Sequence, residues 1–271
     1  MSVLCETLEV SLSGYSAWKK RPVSQHQRED QQLAEQIQHV YHACRQVYGS
    51  PRIHVELREQ GVTSSRKRAA RLMREQGLSA HRRQHKTITT KSEPGARVAP
   101  NLLDQECTAS RPNEKWTGDM TAIWTYEGWL YLAVVLALFS RWVIGWAMAA
   151  TQDETLIERA LPMALLGRQP SPGLLFHSDR GSQYTRDAYR AVLAGADITG
   201  SMSRTGNCYD PAVTEAVLGT LKGEWVERHG FQTRRGARQT IFEFVECFYN
   251  RVRRHSSLGY VSPITYEQAK C

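Results

Sequence analysis

The sequence predicts an α/β protein, a mixed five-stranded sheet flanked by helices and preceded by an all-α region. Three observations point there. Apolar residues recur at helical spacing through residue 86, as at Leu33, Ile37, Val40 and Tyr41 and again at Ala69, Leu72 and Met73. A stretch rich in Thr, Ser, Pro and Gly follows, from about Lys86 to Asn113. Beyond it, apolar runs of strand length alternate with helical patterns in the order β-β-β-α-β-α-β-α, which suits one sheet with helices packed on it.

Taken in order, residues 1–86 are expected to form a helical region. Gly14, Tyr48-Gly49-Ser50-Pro51 and Gly61 fall between its periodic runs, the punctuation of small helix-turn-helix units rather than one rod. Residues 87–113 form a linker. The core, 114–228, opens with strands over Trp116–Thr125, Trp129–Phe139 and Trp142–Ala149. The second is nearly continuous in apolar residues, as a strand covered on both faces is, and Gly128 tightens the turn before it. A helix over Asp153–Leu166, a buried strand Leu174–His177, a helix Thr185–Ala194 and a last strand Ile198–Met202 follow. Asp210-Pro211 then opens a helix, with Asp as N-cap and Pro in the first turn, that continues to Val226. The segment 229–271 is a basic helical extension, with a helix over about Thr233–Val252 that carries Ile241, Phe244, Val245 and Phe248 on one face.

The charge is +8 over 271 residues, and its distribution says more than its total. Residues 1–115 hold 19 basic and 12 acidic groups, 116–230 hold 9 and 12, and 231–271 hold 7 and 3. An acidic centre between basic flanks suits a metal-dependent reaction on nucleic acid, where carboxylates hold cations and the flanks hold phosphates. The six cysteines are scattered, with no CxxC pair and no zinc-site spacing, so they are expected to be reduced thiols. Glu6 and Glu9 stand where a signal peptide needs an apolar run, and Tyr131–Leu138 is too short to span a bilayer. The expected protein is soluble and cytoplasmic, with no membrane partner.

Two basic clusters are candidates for phosphate contact. Arg66, Lys67, Arg68, Arg71 and Arg74 lie on one helix beside an apolar stripe, where a solvated face is the alternative. Arg251, Arg253 and Arg254 follow the last long helix, and only three acids in the final 41 residues are on hand to pair with them. Three acids occupy places suited to chemistry. Asp119 lies inside the first strand, where a charge is normally excluded; Asp179 ends the short apolar strand, at a carboxyl edge where ligands of α/β sheets tend to sit; Glu215 lies early on the helix that Asp210 caps. Phosphoryl transfer with two metals needs carboxylates that converge in this way.

The strings Trp116-Thr117-Gly118-Asp119, Gly128-Trp129-Leu130-Tyr131-Leu132-Ala133, Phe139-Ser140-Arg141, His177-Ser178-Asp179-Arg180-Gly181-Ser182-Gln183-Tyr184 and Ser201-Met202-Ser203-Arg204-Thr205-Gly206-Asn207-Cys208-Tyr209-Asp210 resemble the OrfB transposases of bacterial insertion sequences. That family belongs to the DDE superfamily with the retroviral integrases. Asp179 and Glu215 have 35 residues between them, the spacing the family's Asp and Glu show. The likeness reaches from Ser13-Gly14-Tyr15 to Pro263, nearly the whole chain. It implies an RNase H-like core, with Asp119, Asp179 and Glu215 as catalytic and metal-binding residues for two Mg²⁺ ions, which Mn²⁺ is able to replace. It further implies hydrolysis at the element's ends followed by strand transfer, with Lys222, Arg204 and Asn207 bordering the DNA. Double-stranded DNA, an upstream OrfA segment and further copies of the chain are the implied partners, in association with the bacterial nucleoid. The chain departs from the family pattern at Ala137, Pro211 and Ala216-Val217, none of them in the triad. Two other functions fit the residues alone: a nuclease of the same fold that cuts without joining, and a non-catalytic DNA-binding regulator, against which the three acids argue.

Overall fold

The computed structural model describes the chain apart from residues 1, 81–98, 105, 152–154, 180, 204–211, 229 and 271. It divides into two compact units, 1–80 and 81–271. No helix of the described residues is long and apolar enough to cross a membrane.

The first unit holds α1 (Ser2–Thr7), α2 (Leu12–Lys20), α3 (Gln25–Ala43), α4 (Ser50–Glu59) and α5 (Arg66–Glu75). Ser24 starts α3 with a full capping box, its hydroxyl accepting from the Gln27 amide while the Gln27 side chain accepts from the Ser24 amide. The stripe Leu33, Ile37, Val40 and Tyr41 of α3 is buried together with Ile53 and Leu57 of α4 and Ala69, Leu72 and Met73 of α5. Gly61, at φ +78°, stops α4 in the left-handed region and lets the chain turn toward α5. Gly14 does not break the chain as its type suggests. It lies inside α2, where its amide donates to the capping Ser11 hydroxyl at 3.0 Å, so the interruption falls at residues 8–11 instead.

The second unit is built on β1 (Lys115–Thr125), β2 (Gly128–Ala137), β3 (Val143–Ala149), β4 (Leu175–Ser178) and β5 (Thr199–Met202), in the spatial order β3-β2-β1-β4-β5. β1, β2 and β3 pair antiparallel, while β4 and β5 add parallel to β1. This is the mixed sheet the apolar runs predict, in the RNase H-like form that the resemblance implies. Helices α6 (Leu156–Arg168), α7 (Ser182–Thr185), α8 (Asp187–Gly195) and α9 (Ala212–Glu224) fill the connections, and α10 (Arg234–Phe242) and α11 (Pro263–Gln268) follow. The Asp210-Pro211 opening expected for α9 lies outside the described residues. Of the stretch expected as a linker, residues 100–103 lie along β5: Met202 N–H donates to Pro100 O at 3.4 Å, Leu102 N–H donates to Ser201 Oγ at 2.9 Å, and Leu103 is buried.

The main core lies between the sheet and α6, where Trp116, Ala133, Val135, Ile144 and Phe176 meet Ile157, Ala160, Leu161 and Ala164. Gly145 sets the distance between the layers, because a Cβ there would stand 2.5 Å from Ala160 O and 3.0 Å from Ala164 Cβ. Gly145→Ala is therefore expected to destabilise the protein by about 1–3 kcal/mol through overpacking against a helix backbone that cannot flex away. A denaturant melt that matches the parent within about 0.5 kcal/mol would show that α6 shifts freely.

The extension continues α10 into a π-helical turn over Glu243–Tyr249 that buries Phe244, Val245, Phe248 and Tyr249. The uniform helix expected over Thr233–Val252 thus changes pitch after Phe242. The Asn250 side chain then caps Val143 at the start of β3, accepting from Val143 N–H and donating to Val143 O, both at 3.0 Å. Near the chain's end, Glu267 is buried, forms an ion pair with Arg168 and accepts from Ser140 Oγ at 2.6 Å.

Candidate active site

Successive side chains of a strand point to opposite faces, and β1 uses both. Gly118 faces α6, since a Cβ there would meet Phe176 and Ile157. Thr117 and Asp119 therefore face the other way. On that face Thr214 of α9 donates from its Oγ1 to Thr117 Oγ1 at 3.1 Å, with both residues buried. Glu215 is the next residue of α9 and is exposed. β4 runs parallel to β1 with Thr117 opposite His177, so Asp119 and Asp179 each lie two residues further along neighbouring strands.

The electrostatics agree with this placement. The Asp119 carboxyl is pushed up to about 7, first by burial and next by the Asp179 carboxylate, with Glu215 adding to both. The Met120 amide, donating to Asp119 Oδ1 at 2.7 Å, and the Lys222 ammonium pull it down. Asp179 Oδ1 accepts from the Gly181 amide at 2.9 Å, which orients that carboxylate. Asp119 and Asp179 are half-buried, as is Lys222 two helical turns beyond Glu215. Among the described residues no three of His, Cys, Asp and Glu stand close enough to share one ion, so the acids lie within electrostatic reach without closing on a common point.

His177 is wholly buried, with Nδ1 3.0 Å from Ser201 Oγ and Nε2 3.0 Å from Ser203 Oγ. Both ring nitrogens are committed, which makes it a brace between β4 and β5 rather than a base.

Of the basic residues singled out in the sequence, Arg66, Lys67 and Arg74 are exposed on α5 and have no acidic partner among the described residues. Arg68 and Arg71 of the same helix reach back to α3, donating to Asp30 at 2.6 and 2.5 Å. These two guanidinium groups hold the Asp30 carboxyl below its ordinary range. Arg251 is exposed and donates from Nε to the Glu246 carbonyl at 3.0 Å, and half-buried Arg254 donates to the Tyr260 carbonyl at 2.8 Å. Arg253 overturns the expectation of a phosphate contact. It is buried, and its Nε donates to Glu224 Oε2 at 2.6 Å, at the end of α9. The pairing acid lies 29 positions earlier, so a count confined to the final 41 residues missed it. Arg204 and Asn207 lie outside the described residues. Thr214 and Glu224 were not singled out from the sequence, and Thr117 only as part of the string around Asp119, since no spacing or composition marks partners so far apart.

Residues 109–208 match the integrase core domain family, 196–263 match a second integrase core domain family, and 27–86 match an HTH-like domain family. A 31 kDa protein of insertion element IS600 from Shigella sonnei, described as uncharacterized, is 39% identical over 265 residues, covering 98% of this chain and 97% of its own. The transposase InsF for insertion sequence IS3A from Escherichia coli (strain K12) is 40% identical over 269 residues, covering 98% and 93%. Similar solved structures include a simian T-cell lymphotropic virus intasome in complex with PP2A regulatory subunit B56 gamma, at 15% identity and TM-score 0.48 over 81% of this chain and 70% of that one. Another is the HTLV-2 integrase catalytic core domain in complex with magnesium, at 16% identity and TM-score 0.44 over 58% and 98%. The sheet order and the matched families define an integrase-core polynucleotidyl transferase, a DNA-acting enzyme. Its near full-length relatives narrow the class: the chain belongs to the IS3-family transposases of insertion sequences.

Proposed function

We propose that Asp119, Asp179 and Glu215 form the catalytic site that cuts the ends of an insertion sequence and joins them to target DNA. The observation that carries this is the Asp119 carboxylate, held on the α9 face of β1 with Asp179 and Glu215 pressing on its charge and Lys222 alone among the named groups opposing them through its cationic charge. Three carboxylates and no soft ligand suit hard divalent cations, so the donor set fits two Mg²⁺ ions, or Mn²⁺ in their place. Bound there, the metals would orient the attacking oxygen and stabilise the leaving one. The chain's own part is to fix the carboxylates on a rigid sheet and helix, and to bring Lys222 to the DNA phosphates beside them. Arg66, Lys67 and Arg74 on the helix-turn-helix unit are the proposed contacts to double-stranded DNA at the element's ends, with Arg251 adding phosphate contact at the other end of the chain. Other copies of the chain and an upstream OrfA segment complete the proposed assembly.

The test is incubation with labelled end DNA and Mg²⁺, with and without an OrfA fusion. Cleaved and joined products are expected; cleavage without joining, with a target present, would point to a nuclease. Replacing Arg66, Lys67 and Arg74 together by Gln is expected to weaken DNA binding and to flatten its salt dependence by up to about 0.9 log units per lost phosphate contact. An unchanged slope in a mobility-shift titration would move the DNA surface elsewhere. Arg68 and Arg71 make poor probes, because their loss strips Asp30 of its partners and disturbs the fold of the unit.

A further inference from the structure

Helix α9 carries Glu215 in its first turn, while the other two acids belong to the sheet. A slip of one residue turns a side chain by about 100° around the helix axis, so the register of α9 on β1 decides where Glu215 points. Something must therefore fix α9 on β1. Among the described residues a buried polar bond joins them, Thr214 Oγ1 to Thr117 Oγ1 at 3.1 Å. Thr214 has no exposed surface and Thr117 is 2% exposed, so neither hydroxyl has water as an alternative partner. Thr214 immediately precedes Glu215 and Thr117 lies two residues before Asp119 on the same face of β1. At its far end α9 is held by the buried pair of Glu224 with Arg253.

We propose that Thr117 and Thr214 are positioning residues that set the register of Glu215 against Asp119, and so tune the affinity of the acid cluster for divalent cations. This rests on the three acids being the cation site. The bond is suited to the role because it is buried and directional, and because it lies within two residues of an acid on each element. Groups that orient metal ligands from behind commonly change metal affinity or activity by about 10–100-fold when removed. Thr214→Val keeps the shape and removes the donor, Thr117→Val removes the acceptor, and Thr214→Ser keeps the hydroxyl.

The experiment is a thermal-shift titration of the full chain with Mn²⁺ and with Mg²⁺, beside strand joining on end DNA. For Thr214→Val and Thr117→Val, the metal concentration giving half of the maximal shift is expected to rise about tenfold. Thr214→Ser is expected to restore it, and the double Val variant to be no worse than the worse single one, since both remove one bond. A merely structural bond would lower the melting temperature in the absence of metal and leave the half-maximal concentration unchanged, which would overturn the proposal. Asp119→Asn separates this failure from that of the site itself. If wild type and Asp119→Asn respond to metal alike, the acid cluster is not the cation site and both inferences fall; if only the Thr variants respond as wild type does, the positioning role alone falls. A Val variant that fails to fold is replaced by its Ser counterpart at Thr117 or Thr214, whose loss of metal response in spite of a retained hydroxyl would equally overturn the proposal.

Discussion

Asp119→Asn, Asp179→Asn and Glu215→Gln are each expected to lower strand joining by at least about a thousandfold, roughly 4 kcal/mol of transition-state stabilisation. Each change keeps the side chain's shape and removes one negative charge from a cluster proposed to hold two divalent cations. The three act as one unit, so a double variant should be little worse than the worst single one. DNA binding should persist, because the proposed contacts are the basic groups on α5, and loss of an acid lessens repulsion of phosphate. Without metal, Asp119→Asn should also change stability in a telling direction. The Asp119 carboxyl is raised from 3.8 to about 7 in the folded protein, so the charged group costs stability increasingly as pH rises between those values. Relative to the variant, wild type should lose stability across that window and hold a constant deficit above it. Joining assays, mobility shifts and metal-free melts at several pH values test the three parts separately. Wild-type joining by any one of the variants would remove that residue from the site.

Glu267→Ala is expected to cost about 3–5 kcal/mol, the usual result of stripping one partner from a buried ion pair. Arg168 and Glu267 are only 13% and 8% exposed at their side chains, and the pair is embedded in further contacts. Arg168 Nε donates to Asn113 Oδ1 at 3.1 Å, and its guanidinium lies 4.9 Å from the Trp142 ring centre. Removing the carboxylate leaves the guanidinium buried without its counter-charge and takes the acceptor from Ser140. For a domain of this size the melting temperature should fall by roughly 6–20 °C. Glu267→Gln, which keeps an acceptor for Ser140, should lose less. A loss below about 1 kcal/mol for Glu267→Ala would mean that the surrounding contacts, not the ion pair, hold α11 in place.

Much of the fold was legible because burial writes a period into the chain. The run Trp129–Phe139 is apolar on both faces because β2 lies between two strands with α6 on one side and α10 on the other, and the structure places the strand at Gly128–Ala137. Asp119 stood out for the opposite reason, as a charge where a strand excludes one, and Asp179 as an acid at a strand's carboxyl edge. The π-helical turn was not, since over seven residues the spacing of Phe244, Val245, Phe248 and Tyr249 fits either pitch. Contacts between residues far apart in sequence left no pattern at all. Arg253 read as a free cation because Glu224 is remote in the chain, and the Thr117–Thr214 bond spans 97 positions between two unremarkable side chains.

The Asn250 amide has a consequence for handling the protein. By occupying both polar groups of Val143 it caps the first residue of β3 as an added strand would, without itself offering a further row of donors and acceptors. A chain cut before residue 250 would keep all five strands and the three acids yet bare the Val143 amide and carbonyl, lengthening the unpaired row that edge strand β3 offers to a second molecule. Such a fragment, tempting as a minimal catalytic domain, should aggregate during purification, and a soluble core will have to retain the segment through Asn250 and the residues that hold it.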